Sequence, residues 1–190
     1  ALPSREELKN AVDSSPCVLG VAENKKTKKT QIVQAASLND PEASEQTHLA
    51  TLGYDQSREV ANTATRKVVV AVIDSGVQYD HQDLDERMWS ATQGRHGYNY
   101  VNGNYDPMDD DSEGHGTHVA GIIAAEENNG YATAGLTGDF VEIMAVKVLD
   151  SSGNGDSKDV ANGIDFAIQN GADIINLSVE SQGAIRVMYA

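Results

Sequence analysis

Val68-Val69-Val70-Ala71-Val72-Ile73 is an unbroken apolar run, β-branched at every position but Ala71, and it ends directly in Asp74. β-branched side chains are stiff at χ1 and pack well on a pleated surface, so the run reads as a strand. It is apolar at successive rather than alternate positions, which requires cover on both faces and is the habit of parallel strands in α/β domains. It falls far short of the roughly 20 apolar residues that cross a bilayer, so it makes no membrane span. Asp74 then stands where the apolar cover runs out, and a carboxylate there needs a partner or a turn to cap.

The rest of the chain supplies neighbours for that strand. Residues 114–125 read as a helix with Val119, Ile122 and Ile123 on one face, and with Gly116, Ala120 and Ala124 small enough for close packing. Residues 141–146 make a second strand. Ser157 caps a helix striped by Val160, Ile164, Ala167 and Ile168, which Asn170-Gly171 ends. Residues 173–179 make a third strand, and residues 39–65, opening on Asn39-Asp40-Pro41, read as a polar segment. Strand, helix, strand, helix, strand predicts an α/β domain: a mostly parallel sheet with flanking helices. Chemistry in such sheets gathers at the carboxyl ends of the strands. That singles out Asp74-Ser75-Gly76, the loop before His115, the loop 150–156 and the segment 178–180.

The 190 residues suffice for one domain or the larger part of one. A net charge of −15 argues against a nucleic-acid surface, which needs clustered Lys and Arg. The single cysteine, Cys17, excludes a disulfide framework or a Cys-rich zinc module within this chain. The first 38 residues differ in character. Ser4 and Glu7 form a capping box before Leu8, Ala11 and Val12; Pro16 ends that helix, and residues 17–21 read as a short strand. Lys25, Lys26, Lys28 and Lys29 then make a basic, exposed linker. The expected division is residues 1–38 and residues 39–190.

Gly114-His115-Gly116-Thr117-His118-Val119-Ala120-Gly121 carries the second chemical signal. Small neighbours leave room for another chain beside His115, and a helix start favours the neutral imidazole that acts as a base. His118 reads as a structural histidine turned to the inner side of the helix. Asp111, His115 and His118 could instead serve a metal-dependent hydrolase, although the H-E-x-x-H spacing is absent. Asp74 could equally cap its own turn through Ser75 and Gly76. A phosphate site at that turn lacks a glycine-rich loop.

Taken in order, Val70-Ala71-Val72-Ile73-Asp74-Ser75-Gly76-Val77, His115-Gly116-Thr117-His118-Val119-Ala120-Gly121 and Ile175-Asn176-Leu177-Ser178 resemble the motifs of the subtilisin-like serine proteases. Ala145-Val146-Lys147-Val148-Leu149 resembles the family strand that leads into the substrate loop. The resemblance covers roughly residues 39–180, and Asp before His is the subtilisin order. It implies a subtilisin-like fold whose C-terminal half is absent, with His115 as general base and Asp74 holding its tautomer. The family's Gly-Thr-Ser nucleophile and oxyanion asparagine have no counterpart here. The chain is therefore expected to be the N-terminal part of a serine endopeptidase working through an acyl-enzyme, inactive alone. A non-catalytic pseudoprotease or peptide-binding module is the alternative.

The resemblance implies further sites. A polypeptide substrate would lie as an extra strand between Gly153-Asn154-Gly155 and Ser178-Val179-Glu180. Glu180 stands where the family usually has glycine and would favour a basic side chain before the scissile bond. A structural calcium would be held by Asp40, Asp83 and Asn129 with the carbonyls of Glu126, Tyr131 and Thr133, as in the thermitase-like variant. Ala132 stands in that loop where glycine is common. Asp106, Asp109, Asp110 and Asp111 would hold a second calcium or form a solvated acidic loop. Residues 1–38 would be the tail of an inhibitory prosegment, cut near Lys25–Thr30, in a secreted zymogen.

Overall fold

The computed structural model of the chain describes residues 38–180, all within a unit spanning Gln34–Ala190. The helix, strand and basic linker expected before residue 38 lie outside the described residues.

Four parallel strands form one sheet: β1 Val68–Asp74, β2 Gly97–Asn99, β3 Val141–Lys147 and β4 Ile174–Leu177, in the order β2-β3-β1-β4. β1 is therefore internal, and its continuous apolar run is covered on both faces as expected. Successive side chains point to opposite sides. Val70 and Val72 join Leu84, Ile143 and Ala145 beneath the helix α3 (His115–Ala124). Ala71 and Ile73 join Met144, Val146 and Val148 on the other face, beneath the helix α4 (Ser157–Gln169). Burying each Val or Ile side chain is worth about 1.5–3 kcal/mol, so the two layers together anchor β1 firmly.

The helices meet the sheet through smaller residues than their large apolar side chains suggest. α3 buries Gly116, Ala120 and Ala124, while Val119 and Ile123 pack at the margin and Ile122 is 41% exposed. Small residues let the helix backbone approach β1 closely, and the bulky ones are pushed to the rim. α4 likewise buries Val160, Gly163 and Ala167, with Ile164 partly covered and Ile168 exposed. Its N-cap position is Asp156, one residue before the expected Ser157, and it ends at Asn170 with Gly171 left-handed, φ 79°.

Three further differences are local. β4 is shorter than residues 173–179, and among the described residues it pairs only with β1, leaving Ile174, Ile175 and Leu177 exposed at the sheet edge. β2 has three residues, too few to show a period. The polar segment 39–65 contains two short helices, α1 Thr47–Leu52 and α2 Tyr54–Ala61, in which only Leu49 and Tyr54 are buried. The Tyr54 hydroxyl and the Arg58 guanidinium both bind Glu127, which ties α2 to the loop after α3. Among the described residues, no helix is long and apolar enough to cross a membrane.

Candidate active site

Asp74 closes β1 fully buried, and His115 opens α3 beside it. The His115 Nδ1–H donates to Asp74 Oδ1 at 2.7 Å, and the Ser75 N–H donates to the same oxygen at 2.7 Å. Asp74 Oδ2 is buried with no partner among the described residues. A buried acceptor left unpaired costs about 1–3 kcal/mol, a cost tolerated where geometry serves chemistry. Asp74 is thus more than a turn cap, because its side chain spans to the next element.

Close approach makes the pairing possible. A Cβ on Gly116 would lie 2.1 Å from the Gly76 carbonyl oxygen and 3.1 Å from the Asp74 Cβ, so only glycine lets α3 start this near the end of β1. The first turn of α3 has N–H groups without helical acceptors, and its surroundings supply them. His115 N–H donates to Asp111 Oδ2, Gly116 N–H to Ser75 Oγ, and Thr117 N–H to Asp109 Oδ2. The imidazole is therefore fixed at both its backbone and its Nδ1.

The His115 side chain is half exposed, and its pKa is raised. The hydrogen bond to Asp74 is the main cause, followed by the Asp74 charge; partial burial opposes them, and Asp111 and Asp109 add to the rise. The helix start was expected to favour the neutral ring. A full carboxylate charge in direct contact outweighs the partial charge of a helix terminus. With Nδ1 engaged, Nε2 is the nitrogen left to exchange a proton.

His115 lines a cleft of about 470 Å3 together with Ser75, Gly153, Ser178, Val179 and Glu180. Gly153 and the segment 178–180, expected to flank a substrate strand, are thus brought to one cleft with the histidine. Asn154 and Gly155 are not among its lining residues. Asn154 N–H instead donates to Asp150 Oδ1 at 3.0 Å, closing the turn. A Cβ on Gly155 would lie 2.3 Å from the Val148 carbonyl oxygen, so that glycine serves the chain's own packing. Ser178 Oγ accepts from Asn176 Nδ2 at 2.9 Å.

Asp40 and Asp83 are both buried and converge on the loop after α3. Asp40 accepts the N–H groups of Asn128 and Asn129; Asp83 accepts Asn129 Nδ2 at 2.8 Å and the Thr133 N–H at 3.3 Å. The Glu126 N–H donates to the Asp83 carbonyl, and the Tyr131 N–H to Asn129 Oδ1. Ala132 adopts a left-handed conformation, φ 32°, a backbone shape that glycine takes without strain. Both carboxylates thus take backbone and amide N–H groups as partners, and among the described residues neither has a basic side chain in ion-pair contact.

The acidic loop behaves differently. Asp106 accepts the Tyr79 hydroxyl, Asp109 accepts Thr117, Asp110 accepts Lys147 Nζ, and Asp111 accepts the N–H groups of Glu113 and His115. The four carboxylates are divided among separate partners, and the described residues hold no trio of His, Cys, Asp or Glu poised for a metal. The same finding separates Asp111, His115 and His118. His118 is not turned inward: it is exposed, on the wall of a second cavity of about 640 Å3 with Ile122, His48 and His81. Sequence reading passed over Lys147, a fully buried lysine at the end of β3. Its signal was available as a charge interrupting an apolar strand between Val146 and Val148.

Comparison with known proteins accords with this geometry. The chain is 46% identical over 110 residues to a thermophilic serine proteinase of Bacillus sp. strain AK1, covering 58% of this chain and 25% of that protein. It is 44% identical over 130 residues to the cell wall-associated protease of Bacillus subtilis strain 168, covering 66% of this chain and 14% of that one. Among solved structures, the serine protease of Aeromonas sobria in complex with its chaperone matches with a TM-score of 0.51 at 28% identity, covering 62% of this chain and 19% of that one. The chain thus spans a quarter or less of these relatives. The subtilase family model matches residues 65–186, from the strand that delivers Asp74 to beyond the cleft wall, and the chain belongs to the subtilase family.

Proposed function

We propose that this chain is the Asp- and His-bearing part of a secreted serine endopeptidase that hydrolyses peptide bonds through an acyl-enzyme. The observation that carries the reading is the 2.7 Å contact of His115 Nδ1 with Asp74 Oδ1 at the edge of the cleft. Asp74 holds the ring in the tautomer whose Nε2 accepts a proton, and stabilises the imidazolium that results. The nucleophilic serine and the oxyanion donor belong to a longer polypeptide; among the described residues no serine hydroxyl hydrogen-bonds His115. The substrate backbone lies in the cleft between Gly153 and residues 178–180. Asp111, Glu113 and Glu180 also line it, a charge pattern that supports preference for a basic side chain beside the scissile bond.

Calcium is the structural ion we assign to Asp40, Asp83 and Asn129, with the carbonyls of Glu126, Tyr131 and Thr133 completing the shell. Its role there is to neutralise two buried carboxylates and tie residues 39–40 to the loop after α3. Relatives named extracellular proteases, from Natrialba magadii and Bacillus subtilis, support export. The prosegment reading of residues 1–38 rests on their position and on the resemblance of their sequence to a prosegment tail.

The test uses a polypeptide extended beyond Ala190 to include the family's serine. It should hydrolyse casein, react with a fluorophosphonate, and lose about a millionfold in kcat with His115→Ala, as triads do when the base is removed. Turnover unaffected by that substitution would overturn the reading. The 190-residue chain alone should show none.

A further inference from the structure

Lys147 closes β3 in register with Asp74 on one side and Asn99 on the other, and only 1% of its side chain is exposed. Its Nζ donates to the Ser75 carbonyl at 2.6 Å, to Asp110 Oδ1 at 2.6 Å and to the Leu149 carbonyl at 2.7 Å. An ammonium has three donors, and here each has an acceptor. That saturation is what lets a charge sit in so dry a place. An aliphatic side chain would fill the same space with less desolvation, so the ammonium answers to something other than core stability.

The three acceptors belong to the three segments that carry the site. Ser75 follows Asp74, and its N–H and Oγ bind Asp74 Oδ1 and the Gly116 N–H. Asp110 lies in the loop that runs into α3 and His115, and its side chain is 55% exposed, so the loop is drawn over the ammonium rather than buried with it. Leu149 leads β3 toward Gly153 and itself lines the cleft. The Asp110 loop also crosses the Asp74 turn directly: the Val77 N–H donates to the Pro107 carbonyl.

We propose that Lys147 is a positioning residue: its ammonium joins the Asp74 turn, the loop before His115 and the root of the Gly153 loop, and so sets the Asp74–His115 hydrogen bond. It touches no substrate and acts through Ser75 and Asp110. The proposal rests on reading Asp74 and His115 as a catalytic pair, and extends it to the residue that holds them.

The experiment reads that hydrogen bond itself. The chain carrying 15N-histidine should show a low-field imidazole Nδ1–H resonance that vanishes in His115→Ala. Lys147→Met should move it to higher field or abolish it, and Asp110→Ala should move it the same way by less. Val160→Ala, a core truncation beneath α4, should lower the melting temperature and leave the resonance where it was. Should Lys147→Met fail to fold, Asp110→Ala decides, since its carboxylate stands at the exposed end of the clamp. An unmoved resonance in the folded variants overturns the proposal, as does its absence from the unchanged chain. A resonance that responds as expected, beside a longer polypeptide that cleaves nothing, would sink the protease reading and leave the clamp standing.

Discussion

Asp74 and His115 stand 41 positions apart in the chain and meet through a 2.7 Å hydrogen bond, the carboxylate buried and the imidazole half exposed. The asymmetry suits the roles proposed for the pair. A base must be reachable by its substrate, whereas the group that orients it works best away from competing water.

The contact makes activity pH-dependent in a stated direction. Because the Asp74 hydrogen bond and charge raise the His115 pKa above its ordinary 6.5, the base form appears only at higher pH. Activity of the extended polypeptide should climb through a midpoint above 6.5, and the 15N titration of His115 should show the same midpoint. Asp74→Asn should cost about ten-thousandfold in kcat by favouring the wrong tautomer. A midpoint below 6.5 would contradict the assignment. The same shift stabilises the fold fully below pH 6.5 and is lost as pH rises through the raised value, weakly, because the ring is solvent-screened.

Gly116→Ala should disturb the pair without touching either member. The added methyl would meet the Gly76 carbonyl at 2.1 Å, so α3 must retreat from β1. Overpacking of this kind costs about 1–3 kcal/mol, and denaturant melts should show it. The His115 pKa should fall toward its ordinary value as the hydrogen bond lengthens. A variant with native stability and an unmoved titration would show that the contact tolerates slack.

The proposed calcium at Asp40 and Asp83, if bound, should contribute to stability, so its removal should lower it. An ion at about a hundred times its dissociation constant adds roughly 2.7 kcal/mol, so a chelator should drop the melting temperature by several degrees. Asp83→Asn should abolish the response. A melting curve indifferent to chelator would remove calcium from the account, leaving the backbone N–H groups of Asn128, Asn129 and Thr133 as the carboxylates' partners.

Asp173 gives an acid-range prediction. Its two hydrogen bonds from Arg66, with another from the Val69 N–H, hold its pKa down at about 2. A depressed carboxylate stabilises the fold above its ordinary 3.8, and that stability is lost as pH falls through about 2. Arg66→Ala should bring the Asp173 titration back toward 3.8, while the Val69 N–H still donates to the carboxylate and β4 stays paired with β1. An unchanged Asp173 titration by carboxyl NMR would refute the cause given.

Much of this was legible in the chain. The run Val68–Ile73 dictated a strand covered on both faces, because six successive apolar side chains cannot be half solvated. The helices over His115–Ala124 and Ser157–Gln169 followed from their periodicity, and Asp74 and His115 from their places at element ends. The two helices within 39–65 and the three-residue β2 were not legible, since short polar elements carry no period. Nor was the inner face of α3: its large side chains suggested one face, but contact with β1 is made by Gly116, Ala120 and Ala124.

What the sequence determined by itself is the inventory: a parallel α/β sheet, a carboxylate ending its central strand, and a histidine between glycines at a helix start. Tertiary structure decided which of these meet. Only the folded chain spreads Asp106, Asp109, Asp110 and Asp111 among separate partners and turns His118 outward. It also brings Lys147 under the Asp74 turn, and sets Gly153 beside residues 178–180. Spacing along a chain constrains distance only within one element; between elements, distance is set by how closely helix and sheet can pack, and here a glycine at 116 sets it.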